Sequence, residues 1–152
     1  MASGYYNTGL LQIQNGTIDP DTDVLKIMLV GTGYSFDPDH TTVSQVSGSE
    51  LVATNYAGGF GGAGRKTLTV TALKDDTLDK VIFNFADATW SALGGAVNDT
   101  VAGAVVIKEN SSDADSVPIF YFDLSDLVTN GSSYTLDFAA SPDGNVKFSL
   151  KT

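Results

Sequence analysis

The sequence has 152 residues, no cysteine and a formal net charge of −10, from 18 acidic and 8 basic side chains. This length fits one domain with its own apolar core, and the lack of cysteine excludes disulfides and thiolate metal sites. An acidic surface repels nucleic acid and anionic lipid, and no apolar run is long enough to cross a bilayer. We therefore expect a soluble protein without nucleic-acid or membrane partners.

Residues 1–7 predict a short N-terminal arm that carries Tyr5 and Tyr6. These two aromatic side chains precede any predicted strand. They either tuck into the edge of the protein's own domain or dock on a neighbouring subunit. Residues 8–152 contain no repeat and no long linker, so they predict a single domain.

Most of residues 8–152 consists of strand-like runs separated by turn residues. Segments of strand length that are either apolar or alternate between apolar and polar residues predict strands at residues 8–14, 24–30, 66–73, 78–85, 102–108, 117–124, 134–138 and 146–150. The runs at 66–73 and 78–85 predict one hairpin, and those at 134–138 and 146–150 predict another across a turn at 141–144. Many short strands with frequent turns are typical of an all-β, antiparallel β-sandwich or barrel.

Two local signals interrupt the strand pattern in the first third of the chain. The pair Asn15-Gly16 favours a tight turn after the first predicted strand. Further on, Pro38 suits the first turn of a helix, and the aspartates on either side of it can cap that helix. We therefore expect one short helix near residues 38–46.

Residues 58–64 (Gly-Gly-Phe-Gly-Gly-Ala-Gly) form a glycine-rich loop before the strand predicted at 66–73. The loop matches the dinucleotide-binding glycine pattern, and it nearly matches the phosphate-binding loop, apart from Arg65 between the last glycine and Lys66. Both motifs require a helix N-terminus immediately after the glycines, whereas a strand pattern follows here. We therefore expect no nucleotide, and a loop that stays flexible unless a neighbour orders it.

Asp19, Asp21 and Asp23 resemble the start of a calcium-binding loop. An EF-hand is excluded, because Val30 occupies the position of its bidentate glutamate and no glycine stands at its sixth position. A weaker calcium site built from these aspartates remains an alternative to a solvated turn before a strand.

Residues suited to catalysis are few. His40 is the only histidine, so zinc sites of ordinary ligand type cannot be assembled, and we interpret it as a helix-start or exposed loop residue. Glu50 and Glu109 are the only glutamates, and no pattern around them predicts the aromatic cleft of a glycosidase. Trp90 is best interpreted as a core anchor rather than a platform for a sugar. We expect no catalytic residues, no cofactor and no enzyme activity.

Several segments combine strands and turns in a recognisable order. They are residues 24–30 (Val-Leu-Lys-Ile-Met-Leu-Val), 34–40 (Tyr-Ser-Phe-Asp-Pro-Asp-His), 55–58 (Asn-Tyr-Ala-Gly), 65–70 (Arg-Lys-Thr-Leu-Thr-Val), 81–90 (Val-Ile-Phe-Asn-Phe-Ala-Asp-Ala-Thr-Trp), 105–108 (Val-Val-Ile-Lys) and 119–123 (Ile-Phe-Tyr-Phe-Asp). Together they resemble small structural proteins of tailed bacteriophages, of the head decoration (cement) type, over about residues 24–124. The acidic N-terminal third and the loop at 58–64 have no counterpart in that pattern.

The resemblance implies a bacteriophage virion protein on the capsid exterior, assembled in the host cytoplasm and acting without catalysis. Such proteins bind the outer face of the major capsid protein and stabilise the head, often as trimers, so we expect a homo-oligomer with a trimer favoured. We expect contacts from Tyr5, Tyr6, Phe60 and Arg65, which are apolar or flexible groups outside the predicted strands. The alternatives are another virion component, such as a tail tube, tail tip or head fibre, and a carbohydrate-binding or adhesin module.

Overall fold

The computed structural model describes residues 2–76, 80–138 and 145–148. These residues contain ten strands and two short helices. In chain order they are β1 (Gly4–Tyr5), α1 (Asn7–Gln14), β2 (Leu25–Gly31), α2 (Ser44–Ser47), β3 (Lys66–Leu68), β4 (Val70–Asp75), β5 (Lys80–Phe85), β6 (Ala88–Leu93), β7 (Thr100–Lys108), β8 (Val117–Val128), β9 (Ser132–Leu136) and β10 (Asn145–Phe148).

The largest sheet has five strands in the order β1-β8-β7-β2-β3. Its centre is the pairing of β2 with β7, which runs from Leu25 opposite Lys108 to Gly31 opposite Val101. A three-stranded sheet, β10-β5-β4, and a two-stranded sheet, β6-β9, complete the molecule. Neighbouring strands are antiparallel in all three sheets. The prediction of a single-domain, all-β antiparallel sandwich is therefore confirmed.

Two apolar clusters cover the opposite faces of the five-stranded sheet. Along β2, Leu25, Ile27 and Leu29 belong to the first cluster, whereas Met28 and Val30 belong to the second. Because successive side chains of a strand point to opposite faces, this division places one cluster on each face. The first cluster includes aromatic side chains of the smaller sheets, and the second is closed by side chains from the loop that contains α2. Burial on both faces explains why β2 and β7 are nearly continuous apolar runs.

The strand predicted at residues 8–14 is wrong, because this segment forms α1. Gly9 lets the helix lie against β8, since a Cβ atom at this position would come within 2.5 Å of the Pro118 carbonyl oxygen. After the helix, Gly16 adopts a φ of +76°, and its N–H donates to the carbonyl of Ile13. Hairpin turns and helix ends both favour glycine with positive φ, so the pair Asn15-Gly16 marks the end of a helix here.

The last predicted hairpin is also wrong. β9 pairs with β6, where Tyr134 lies opposite Trp90, and β10 pairs with β5. Alternation along a strand predicts which of its faces is buried, but it does not identify the strand's neighbour. The turn predicted at 141–144 and the end of the strand predicted at 146–150 lie outside the described residues.

The remaining predicted elements are present with shifted limits. The strand predicted at 66–73 is divided at Thr69, so that β3 pairs with β2, whereas β4 forms the predicted hairpin with β5. The helix predicted near 38–46 is confirmed as α2, although it is limited to four residues and α1 adds a second helix. The side-chain oxygen of Gln45 accepts the N–H groups of Thr41 and Thr42, and Pro38 lies in the preceding turn.

Candidate functional site

A loop of residues 52–65, called here the edge loop, leaves the five-stranded sheet and returns to it. The N–H of Leu51 donates to the carbonyl of Leu29, and Lys66 lies opposite Ile27. The loop therefore begins and ends at neighbouring positions along β2, which is the geometry of an Ω-loop. It contains the glycine-rich segment identified in the sequence.

The base of the edge loop is tied to the domain by the buried side chain of Arg65. Its Nε and Nη2 donate to the two carboxylate oxygens of Glu50 at 3.0 and 2.8 Å. Nη1 and Nη2 donate to the two oxygens of Asp113 at 2.5 and 3.0 Å, and Nη1 also donates to Glu109 at 3.2 Å. A guanidinium has five N–H donors, and these contacts use all of them. Two bidentate pairs fix both the position and the plane of the guanidinium.

The same carboxylates hold the glycine-rich part of the edge loop. Glu50 accepts the N–H of Gly59 at 2.9 Å, and Glu109 accepts the N–H of Gly61 at 3.2 Å. Glu109 also accepts a hydrogen bond from the Nζ of Lys26 and forms an ion pair with it. The chain's own side chains therefore order a loop that we expected to stay flexible unless a neighbour ordered it. The Arg65 cluster consists of Arg65, Glu50, Glu109, Asp113 and Lys26.

Two aromatic side chains fasten the inner side of the edge loop. The Tyr56 hydroxyl donates to Glu50 at 3.0 Å and accepts the N–H of Leu29 at 3.0 Å. Burial, and then the nearby Glu50, raise the pKa of this hydroxyl, so it remains a donor. The Nε1 of Trp90 donates to the carbonyl of Gly64 at 2.6 Å. Trp90 is 1% exposed, which confirms its prediction as a core anchor.

Burial and neighbouring charges shift the pKa values of Arg65 and Glu109 in opposite directions. Burial by itself lowers the pKa of Arg65, but the carboxylates of Asp113 and Glu50 raise this pKa above its usual value. Burial raises the pKa of Glu109, yet hydrogen bonds from Lys26 and a backbone N–H outweigh it, and the pKa is lowered from 4.5. Arg65 and Glu109 therefore remain ionised, and each binds another part of the chain. The Arg65 cluster therefore serves to position the edge loop.

A cleft of about 370 Å³ opens beside the Arg65 cluster. Glu50 and Asp113 line one part of it, and Val52, Tyr56 and Gly58 of the edge loop line another. Charged and apolar atoms therefore meet along the same side of the edge loop.

The four predicted contact residues lie in different environments. Phe60 is 49% exposed on the edge loop, and Tyr5 is half-buried in β1. Tyr6 is fully buried in the second apolar cluster, and Arg65 is buried in its own cluster. The two tyrosines of the predicted arm are thus tucked into the protein's own domain, which was one of the two alternatives. In this conformation, Phe60 and the exposed part of Tyr5 are the predicted residues that can touch a partner.

His40 lies in the loop before α2, with a partly exposed side chain. Its Nδ1 is 3.3 Å from the hydroxyl of Tyr34, and its ring stacks on Tyr6 at a centroid distance of 6.4 Å. The hydroxyls of Tyr6 and Tyr34 are 2.5 Å apart. These aromatic groups close the second apolar cluster, so His40 packs against the core from a loop.

The aspartates at 19–23 form a hydrogen-bonded turn. Asp23 accepts the N–H of Asp19 at 2.9 Å and the Nζ of Lys108 at 2.7 Å, and Asp19 accepts the N–H of Asp21 at 3.0 Å. In the part of the chain that the structure describes, no group of three or more acidic or histidine side chains is placed to hold a metal ion. These contacts support the interpretation as a turn before a strand.

A second surface lies at one end of the sandwich, where three chain segments meet at Asp99. Its carboxylate accepts the N–H groups of Val52 and Thr100 at 3.0 and 2.8 Å, and its backbone exchanges two hydrogen bonds with Thr129. The neutral end consists of residues 51–55, 92–99 and 127–134, and Asp99 is the one charged residue among them. No motif predicts this surface, because its segments are loops and strand ends that are distant in sequence.

The Arg65 cluster was not predicted from the sequence as a unit, although one signal was present. Arg65 is the only arginine of the chain, and Glu50 and Glu109 are its only glutamates. All three meet in this cluster. The sequence identified Arg65 as a contact residue, but nothing local showed that its contacts lie inside the chain.

No protein-family model, curated protein or solved structure is similar enough to this chain to match it. Neither α1 nor α2, the helices of the described residues, is long and apolar enough to span a membrane. The edge loop and the neutral end are therefore the features of this molecule from which its function is inferred.

Proposed function

We propose that this protein is a structural component of a bacteriophage virion, a head decoration (cement) protein that binds the outer face of the major capsid protein. The edge loop is the observation that carries this proposal. Residues 51–64 contain no charged residue, although the chain has a net charge of −10. The loop exposes Phe60 to solvent, and the Arg65 cluster fixes its conformation in advance.

A loop that is ordered before binding supports adhesion on physical grounds. Ordering a flexible loop during binding costs conformational entropy, and a preformed loop avoids much of that cost. An aromatic side chain such as Phe60 is a good anchor, because it buries a large apolar area with few rotatable bonds. The only arginine and both glutamates of the chain hold this loop in place. This use of the charged residues supports a role in binding rather than in catalysis, and binding of this kind needs no cofactor.

The proposed location is the exterior of the capsid, reached after assembly in the host cytoplasm. There, several copies bind neighbouring capsid subunits, so modest affinity at each contact adds up to stable attachment. We propose a homo-oligomer for this reason, with a trimer favoured. The strong negative charge keeps free copies soluble until they bind.

Cryo-EM of purified phage particles tests the proposed location. We expect density of a β-sandwich on the outer face of the capsid, bound to the major capsid protein. Density in the tail tube, tail tip or a head fibre would assign another virion role, and absence of the protein from particles would overturn the proposal.

Exchange of Phe60 for serine tests the contribution of the edge loop. Loss of an aromatic anchor of this kind lowers affinity by about 2 kcal/mol, or roughly thirtyfold. The measurement is occupancy on capsids by co-sedimentation over a range of protein concentrations. Leu73→Ser is the matched control, because Leu73 is 46% exposed on β4 and lies outside the edge loop. Equal occupancy for both variants would remove Phe60 from the contact.

A further inference from the structure

The neutral end exposes an unusual share of the large apolar side chains. Eight such side chains are exposed among the described residues, and four of them lie at this end: Val52, Val97, Leu127 and Val128, at 69, 52, 45 and 64%. A shallow cavity of about 150 Å³ beside the last two is lined by Leu93 and Tyr134. Apolar patches on the order of 300 Å² or more on a soluble protein mark interaction sites.

Hydrogen bonds between the three segments place these side chains on one surface. The N–H of Thr54 donates to the carbonyl of Val97, and the N–H of Val97 donates to the Thr54 hydroxyl at 2.9 Å. Val128 lies opposite Thr100. Thr100 directly follows Asp99, whose carboxylate joins the segments. The patch is therefore built on a hydrogen-bonded frame.

The neutral end carries no free charge. Both carboxylate oxygens of Asp99 accept backbone N–H groups, so its charge is engaged within the frame. The three segments contain no other charged residue, and Glu50 and Asp126 directly precede the first and the third of them. Contact at this end therefore desolvates apolar atoms without removing a free carboxylate from water.

Backbone strain is concentrated at the same surface. Among the described residues, Asn55 and Ala92 are the two non-glycine residues with positive φ, at 65° and 50°. They are joined to each other, because the Asn55 Nδ2 donates to the Ala92 carbonyl at 2.8 Å. Strained residues of this kind cluster at functional surfaces, where the surrounding structure holds them in place.

We infer that the neutral end is the surface through which two copies of this chain associate. Charge favours a second copy as the occupant: a basic partner would be drawn to the acidic surfaces, whereas a second copy, which has the same net charge of −10, approaches best through a surface without free charge. Two apolar patches facing each other are self-complementary, and the acidic surfaces of the two copies then point apart. Specific interfaces begin at about 1,200 Å² of total buried surface, and contacts near this limit are weak, so we expect an association that is reversible and depends on concentration.

This inference rests on the proposed function and deepens it, since it names a contact between copies of the decoration protein. A self-complementary contact joins copies in pairs, so it predicts a dimer in place of the favoured trimer. The test is sedimentation velocity of the purified protein over a wide concentration range. We expect the wild type to associate, and we expect Val128→Asp and Val97→Asp each to raise the dissociation constant at least tenfold. Val24→Asp is the matched control, because Val24 is also an exposed valine, at 60%, and lies outside the neutral end. Circular dichroism confirms that each variant is folded.

A wild type that remains monomeric throughout this range would overturn the inference. The same conclusion would follow if Val24→Asp weakened association as much as Val128→Asp. The result is separate from capsid binding. A wild-type protein that associates with itself but does not bind capsids would overturn the proposed function alone, and one that binds capsids but stays monomeric in solution would overturn this inference alone.

Discussion

Exchange of Arg65 for methionine removes the guanidinium at the centre of the Arg65 cluster while keeping a long apolar side chain. The variant loses five hydrogen bonds and leaves Glu50, Glu109 and Asp113 without their shared cation. Hydrogen bonds to charged groups contribute about 1.5–3 kcal/mol each, so a simple sum over five bonds would reach roughly 7–15 kcal/mol. That sum overestimates the loss, because Lys26 stays beside Glu109 and the side chain of Asp113 is 19% exposed to water.

Breaking a buried ion pair by removing one partner costs about 3–5 kcal/mol, and we expect a loss of about 4 kcal/mol in the free energy of unfolding. A domain of this size has about 5–15 kcal/mol in total, so the variant keeps only part of its stability. The assay is equilibrium unfolding in guanidinium chloride, in which the midpoint shifts and the slope stays constant. In thermal unfolding the same loss lowers Tm by about 8–16 °C.

Two variants serve as controls for this prediction. Arg65→Lys keeps the charge but has three donors in place of five, so we expect an intermediate loss of about 2 kcal/mol. Lys66→Met changes the adjacent, half-buried cation outside the cluster, and we expect a loss below about 1 kcal/mol. If Arg65→Met lost no more than Lys66→Met, the cluster would contribute no net stability, and the edge loop would be held by its backbone contacts instead.

Three further predictions concern the packing of α1, the stability of the protein in acid and its stability in base. In Gly9→Ala the new Cβ meets the Pro118 carbonyl at 2.5 Å, so we expect a loss of about 1–3 kcal/mol in denaturant unfolding despite alanine's helix propensity. Gly48→Ala is the matched control, because Gly48 has open space around it and a φ of −64°, so we expect no loss of stability. Equal losses of stability in the two variants would contradict the close packing of α1 on β8. Because folding lowers the pKa of Glu109 from 4.5, the unfolded chain takes up this proton first, and stability falls as pH drops below about 4.5. Glu109→Gln should make the free energy of unfolding depend less steeply on pH in this range. An unchanged pH dependence would contradict a role for Glu109. Burial raises the pKa of all six tyrosines, to about 12 for two of them, so stability falls as pH rises above 10. Native protein should show little tyrosinate absorbance at pH 10, and half-ionised tyrosines there would contradict this expectation.

The fold was predictable wherever burial determined the pattern. The strand over residues 24–30 and the hairpin after residue 66 follow from apolar periodicity, which records which faces are covered. The helix at Asn7–Gln14 was not predictable in this way, because its few apolar residues also fit a strand and its closing glycine also fits a hairpin turn. The partner of β9 could not be predicted either, since it depends on contacts between segments that are distant in sequence.

The candidate site was less predictable than the fold. Glycines at 58–64 indicate a flexible loop when they are considered alone, because the sequence does not show which carboxylates will reach their N–H groups. Glu50, Glu109 and Asp113 come from three separate segments and converge only in the folded chain. Phe60 was identified correctly as an exposed group, since no strand or helix pattern includes it.

The pairing of Gly4 with Tyr121 sets an order of events during synthesis. β1 is translated before its partner strand β8, and β2 to β7 lie between them in the sequence. Until then Tyr6 stays in water, although the finished protein buries it beside Tyr34 and Met28. Closing so long a segment is slow and entropically costly. The nascent polypeptide therefore keeps this aromatic side chain uncovered until β8 has been made, and the second core can be completed only after that point.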